Sequence, residues 1–319
     1  MTDTVKIISP VDGSVYAERP VAGGAEIETA LSRAKAARKA WGEVTVRERA
    51  KFLDHFVDAI LLKNDEIVPE LAWQMGRPVR YKNEMRGLEE RSRHMIAIAE
   101  ESLAPSPRPD KPGFKRWIGR ESLGTVMVIA PWNYPFLTAC NSIVPALMAG
   151  NAVILKHATQ TLLVGERFAE AMRAAGLPEG LFQNLVLSHA DTERVIASGA
   201  IDHINFTGSV EGGRRIERAA AGTFASLGLE LGGKDPAYVR PDAKLDHAIE
   251  NLVDGSFFNS GQSCCGVERM HQTVANHREI EAHRARWLSH EIHRAELQRA
   301  QCRVTVLRAA CAQDDDSAR

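Results

Sequence analysis

The stretch GTVMVIAPWNYP, residues 124–135, sets the architecture. Residues 124–131 carry no charge, and Val126, Val128 and Ile129 are β-branched. So short and apolar a run reads as a strand buried on both faces, as strands of parallel sheets are. Pro131 and Pro135 then break the pattern. The same rhythm repeats downstream. NAVILK (151–156), FQNLVLS (182–188), HINFTGS (203–209) and SLGLELGG (226–233) read as strands, and 136–149, 161–176, 190–198 and 212–221 as helices. This alternation predicts βαβ units: a parallel sheet with helices on both faces. Such sheets bind ligands beyond the carboxyl ends of their strands.

Upstream, the first hundred residues read as mostly helical, with helices near 25–41, 46–63, 64–76 and 80–103. Residues 104–120, APSPRPDKPGFKRWIGR, hold four prolines and form a basic hairpin, an edge ribbon or a solvated linker. Downstream, 242–260 reads as a helix that delivers FFNSGQSCCGVERM (257–270).

Composition narrows the function classes. The chain has 319 residues, enough for two domains, and a net charge of −1, which points to neither a nucleic-acid nor a membrane-surface partner. The N-terminus lacks a signal-peptide apolar region, and no apolar run is long enough to span a membrane. Five cysteines (Cys140, Cys264, Cys265, Cys302, Cys311) at irregular spacing argue against a disulfide framework, and no zinc-type spacing suggests a metal. The expectation is a soluble cytoplasmic protein with reduced thiols.

Several residues at strand ends have a structural and a chemical reading. Cys264 and Cys265 follow Gly261-Gln262-Ser263, a turn that would hold a thiol at a pocket; buried inert cysteines are commoner. Asn133 is a turn residue or an amide donor for an oxyanion. Lys156 ends an apolar strand, to snorkel or to bind a ligand hydroxyl or phosphate. Thr207, Gly208 and Ser209 precede a helix, which suits phosphate. Glu230 lies inside the apolar LELGG run, where a carboxylate is paired or acts as a base.

Together, PWNYP, LK with HATQT, FTGS, LELGGKDP and FFNSGQSCCGVER make the chain resemble the aldehyde dehydrogenase superfamily over about residues 5–270. The separations of 34 residues from Glu230 to Cys264 and 23 from Asn133 to Lys156 also resemble the family's. The resemblance implies an NAD(P)-dependent oxidation of an aldehyde to a carboxylic acid. Cys264, in the GQxC position, would be the nucleophile and Cys265 would not. Asn133 would hold the oxyanion, and Glu230 would activate the hydrolytic water. Trp132, Lys156, Thr159, Thr207, Gly208 and Ser209 would form the cofactor side. Thr159 stands where NAD-preferring members often carry Glu, and His157 beside it could add positive charge, which favours NADP acceptance. A CoA-acylating activity is disfavoured by Glu230.

The fold class expected is α/β: a Rossmann-type parallel sheet domain with an N-terminal helical segment, plus an incomplete catalytic domain. Residues 1–103 and 121–231 would form the dinucleotide-binding domain, 104–120 a bridging oligomerisation hairpin, and 232–270 the start of the catalytic domain, with only its first helix and the cysteine loop. Residues 271–319 contain no Gly, Pro, Lys, Phe or Tyr, but hold five of the eleven histidines and eight arginines. They are read as a divergent tail, frameshifted or disordered. The family's Glu-x-Phe-Gly-Pro motif and C-terminal oligomerisation strand are missing, so truncation is expected to impair activity. The alternative is a non-catalytic dinucleotide-binding remnant, or a partner of full-length relatives. The family implies a homo-oligomer acting on a small-molecule aldehyde.

Overall fold

Two six-residue strands, β5 (Thr125–Ala130) and β6 (Ala152–His157), are buried along their whole length and form the centre of the molecule's larger sheet. The computed structural model describes residues 3–79, 84–109, 111–272, 282 and 305–308, the last four as backbone only. The chain divides into two units, Met1–Leu231 and Gly232–Arg319.

In the first unit a hairpin of β1 (Thr4–Ile8) and β2 (Val15–Pro20) precedes the helices. The sequence reading had no strand here. Only Ile7 of these strands is buried, so they carry no clean apolar alternation. Helices α1 (Gly24–Gly42), α2 (Val46–Leu61), α3 (Asn64–Met75) and α4 (Met85–Leu103) follow. α2 starts at a capping box, in which Thr45 and Glu48 satisfy each other's backbone N–H groups. A short antiparallel pair, β3 (Ser106–Pro107) with β4 (Trp117–Ile118), lies within 104–120, with Phe114, Trp117 and Ile118 exposed.

The remaining elements alternate: β5, α5 (Pro135–Met148), β6, α6 (Leu163–Ala174), β7 (Phe182–Asn184), α7 (His189–Ala197), β8 (His203–Gly208), α8 (Val210–Ala220) and β9 (Ser226–Leu231). The sheet is parallel throughout, in the order β7-β6-β5-β8-β9. Its core continues into the helices through the ring stacks Phe56–Phe168 and Phe136–Phe168, with centroids 5.8 and 5.6 Å apart. Two side chains tie the helical segment to α5. The Trp41 indole N–H donates to the Leu147 carbonyl (2.8 Å), and buried Arg49 donates to the carbonyls of Trp41, Gly42 and Met148.

The second unit holds β10 (Asp235–Val239), α9 (Leu245–Phe257), a 3-10 turn (Phe258–Gly261), β11 (Val267–Gln272) and β12 (Thr305–Arg308). The strands run parallel in the order β10-β11-β12. Val239, Ile249, Leu252 and Met270 form its small core. More than one helix and a loop is therefore present in this unit. β10 and β11 escaped the sequence reading because Asp235, Pro236, Glu268 and Arg269 interrupt their apolar pattern. Of the tail, only His271, Gln272, Ala282 and the backbone of Thr305–Arg308 are described, so the reading of the remainder falls outside the described residues.

Candidate functional site

The order of the larger sheet reverses at β5. The chain steps outward through β6 and β7, then returns to the other side of β5 for β8 and β9. Crossovers leave in opposite directions at such a point and open a crevice at the carboxyl edge. The candidate residues of the first unit lie along that edge.

After β5, Trp132 is exposed and Asn133 and Tyr134 are half-buried, ahead of α5. Tyr134 offers α5 no side-chain cap, and the helix takes one from a distance. The Glu84 carboxylate accepts the Leu137 N–H (2.8 Å) and also the Phe136 N–H. Arg77 donates to its other oxygen at 3.1 Å, and the guanidinium carbon lies 5.5 Å from the Tyr134 ring centroid. Burial pushes the Glu84 carboxyl up to about 7, against the opposing pull of Arg77 and the two N–H groups. The sequence reading missed this pair. Two charges seven positions apart look like surface, and nothing local marks them as buried.

Lys156, the penultimate residue of β6, has only 7% of its surface exposed, and it makes no hydrogen bond or ion pair with a described residue. Desolvation lowers its pKa. His157, next in the chain, corrects an expectation. Its ring is buried, with Nε2 3.3 Å from the Pro135 carbonyl and Nδ1 3.3 Å from the Thr161 hydroxyl, and burial pushes it down to about 4. It is neutral at pH 7 and adds no positive charge. Thr159 is exposed in the turn that follows.

Across the reversal, Thr207 and Gly208 end β8, and the Ser209 hydroxyl caps α8 by accepting the Gly212 N–H (3.0 Å). A Cβ on Gly208 or on Gly212 would sit 2.7 Å from the Phe206 ring. The glycines thus let the turn and the first helical turn close over that ring. Glu230 pairs in register with Thr207. It is exposed, which corrects its reading as a carboxylate inside an apolar strand: β9 is an edge strand, and even Leu229 is 36% exposed.

In the second unit, three successive residues with positive φ, Asn259 (53°), Ser260 (59°) and Gly261 (72°), turn the chain sharply before Gln262. Non-glycine residues pay for that conformation, and such strain concentrates at functional turns. Cys264 and Cys265 emerge exposed and unoxidised. The Ser263 hydroxyl lies 3.3 Å from the Cys265 sulfur. Partial burial, then the neighbouring Cys265, raise the Cys264 thiol. A Cβ on Gly233 would sit 3.1 Å from the Cys264 carbonyl oxygen, which accounts for a glycine there. Cys140 contrasts with both: it is buried, its thiol is pushed up to about 12, and it is a core residue. Among the described residues no three His, Cys, Asp or Glu side chains gather as a metal site, and no helix is long and apolar enough to cross a membrane.

A buried ammonium without a partner among the described residues and a glycine-lined helix start thus lie at the carboxyl ends of strands of the same sheet. Fold and site define a doubly wound α/β protein that also carries an accessible cysteine on a strained turn. The model of the aldehyde dehydrogenase family matches residues 1–283, and the chain belongs to that family. It is 34% identical over 265 residues to 3,6-anhydro-alpha-L-galactose dehydrogenase of Streptomyces coelicolor (82% of this chain, 53% of the relative). It is 32% identical over 283 residues to the benzaldehyde dehydrogenase [NAD(+)] of Pseudomonas putida (84% and 56%). The NADP-dependent glyceraldehyde-3-phosphate dehydrogenase of Bacillus halodurans C-125, solved with NADP, superposes with a TM-score of 0.83 at 30% identity, over 90% of this chain and 61% of that one. The chain thus spans a little over half the length of these curated relatives.

Proposed function

We propose that the chain carries the cofactor sheet and the nucleophile of an NAD(P)-dependent aldehyde dehydrogenase. The observation that carries this reading is Lys156, a buried cation without a partner among the described residues, at the carboxyl edge where the sheet reverses. Lys156 would hold ribose hydroxyls, with Thr159 beside it. Thr207, Gly208, Ser209 and the start of α8 would receive the pyrophosphate, and Trp132 would flank the cofactor. When bound, the nicotinamide supplies a hydride acceptor.

The chain's own residues supply the rest. The Cys264 thiolate adds to the aldehyde carbon and gives a thiohemiacetal, because hydride departs readily only from a carbon bearing an alkoxide. The Asn133 amide and the Cys264 backbone N–H donate to that oxyanion. Loss of hydride leaves a thioester on Cys264, and Glu230 takes a proton from the water that hydrolyses it. Cys265 takes no part. With His157 neutral, the case for NADP rests on Thr159, whose uncharged side chain does not repel a 2′-phosphate. The exposed Phe114, Trp117 and Ile118 of the β3–β4 hairpin are the proposed oligomerisation surface.

The test is reduction of NAD⁺ and NADP⁺ by the purified chain with a panel of aldehydes, beside cofactor-induced shifts in melting temperature. Turnover that survives Cys265→Ala and disappears in Cys264→Ala is expected; the reverse pattern overturns the assignment. A melting shift without turnover would favour the dinucleotide-binding module, since the cofactor residues all lie in the first unit.

A further inference from the structure

A second cluster of reactive side chains stands at the amino ends of β8 and β9. His203 and Ser226 face each other in register across the two strands. The His203 Nδ1 lies 2.6 Å from the Ser226 hydroxyl, and its Nε2 lies 3.1 Å from the Asn205 side-chain oxygen. An amide oxygen can only accept, so the ring proton sits on Nε2 and the lone pair of Nδ1 is turned to the serine. Gly228, in register with Asn205, makes room for this, since a Cβ there would lie 2.6 Å from the Asn205 oxygen. Ser226 is exposed, and His203 and Asn205 are half-buried. Glu230 follows at the far end of β9, about 13 Å along the strand, so the cluster is separate from the carboxyl edge described above.

We infer that Ser226, His203 and Asn205 form a second nucleophilic site, which hydrolyses small activated carboxylic esters without Cys264 or a nicotinamide. The Ser226 oxygen adds to the ester carbonyl while His203 Nδ1 takes the hydroxyl proton. The tetrahedral centre collapses to an acyl-serine, and the departing phenolate or alkoxide leaves with that proton. Water then adds to the acyl carbon, His203 takes a proton from it in turn, and the acid departs as the Ser226 hydroxyl is restored. One ester and one water give one acid and one alcohol, with no change of oxidation state. Asn205 is a positioning residue, which acts through His203 by holding the tautomer that leaves Nδ1 basic.

A donor for the oxyanion is also in place. The Ser226 N–H donates to the Asp202 carbonyl (3.2 Å), and a parallel ladder uses alternate N–H groups of a strand. The Leu227 N–H, next to the nucleophile, therefore faces the open side of β9, the last strand of its sheet. From there it can donate to the developing oxyanion. Because the cluster is open to solvent, the substrates that fit are small and carry a good leaving group, as aryl esters do.

The test uses no cofactor and no aldehyde, so its failure is distinct from failure of the dehydrogenase reading. Cys264 is itself an acyl acceptor in that reading. Hydrolysis of 4-nitrophenyl acetate is therefore followed in the whole chain carrying Cys264→Ala/Cys265→Ala. Forms of it that also carry Ser226→Ala, His203→Gln, Asn205→Leu or Asn205→Asp are compared, after circular dichroism establishes that each is folded. Multiple turnover is expected, abolished in Ser226→Ala and slowed at least about a hundredfold in His203→Gln. It should also be lost in Asn205→Leu and kept in Asn205→Asp, which retains an acceptor oxygen. The unsubstituted chain, treated with a fluorophosphonate ester, should take up one phosphonyl group on the Ser226 peptide, read by mass spectrometry. No turnover, turnover that survives Ser226→Ala, His203→Gln or Asn205→Leu, loss in Asn205→Asp, or no phosphonyl group at Ser226 overturns the inference.

Discussion

Replacing Arg77 by methionine keeps most of the side-chain volume and strands the Glu84 carboxylate. The side chains of this pair are 4% and 1% exposed, so water cannot replace the lost partner. Breaking a buried pair in this way costs roughly 3–5 kcal/mol while the orphan stays charged. Glu84 escapes by taking up a proton. Its folded pKa is about 7 with Arg77 present, above an ordinary 4.5, and removing the cation raises it further. A carboxyl whose pKa is raised on folding contributes its full stability below the unfolded pKa and loses it as pH climbs through the folded one. In the unsubstituted protein that gap withdraws about 3 kcal/mol between about pH 4.5 and 7. In Arg77→Met the loss extends above pH 7. Urea unfolding, followed by circular dichroism, should therefore show a deficit of about 2 kcal/mol relative to the parent at about pH 8, from the lost hydrogen bond and at most about 1.4 kcal/mol for the pH unit above 7. At about pH 5, where Glu84 is protonated in both, the deficit should shrink to about 1 kcal/mol for one lost hydrogen bond. Equal deficits at the two pH values would mean that Glu84 does not titrate in the fold, and the reasoning would fail.

Four further outcomes are expected. Lys156→Met should raise the melting temperature, because a buried unpaired ammonium is removed, and should weaken NADP binding at least about tenfold in calorimetry; unchanged affinity would remove Lys156 from the site. Gly124→Ala should cost more than about 2 kcal/mol in urea, since φ is +133° and its Cβ would lie 2.0 Å from the Asp202 carboxylate that binds Arg38 and the Thr125 N–H. Phe224→Gly should stabilise by about 1 kcal/mol, because Phe224 is fully exposed at a φ of 63°; a lower melting temperature would contradict this. Ser209→Ala should cost about 1 kcal/mol through loss of the α8 cap, read in the same melts.

What was legible in the sequence follows burial. β5 and β6 are covered on both faces, so their composition announces them. β1, β2, β10 and β11 mix exposed charged positions with few buried ones, and no period survives to be read. Glu230 misled because its neighbours Leu229 and Leu231 suggested burial, while only the strand order reveals that β9 is an edge. His157 misled for the opposite reason: a ring next to a lysine reads as a second cation until the packing that neutralises it is visible. The residue types alone left Asn133, Lys156 and Cys264 open between structural and chemical roles. Their proposed roles came from the motifs taken together, and the Arg77–Glu84 pair, which has no motif, stayed hidden.

The clasp between the helical segment and α5 has a consequence for biosynthesis. Trp41 and Arg49 wait for Leu147 and Met148, 106 and 99 residues later in the chain. At about 5–20 residues per second, the ribosome takes about 5–20 s to supply them. During that interval the apolar faces carrying Trp41, Leu53, Phe56 and Ile60 are already outside the exit tunnel without the helix they cover. Apolar surface exposed in this way is prone to aggregate, and slowing translation between residues 50 and 147 would lengthen its exposure.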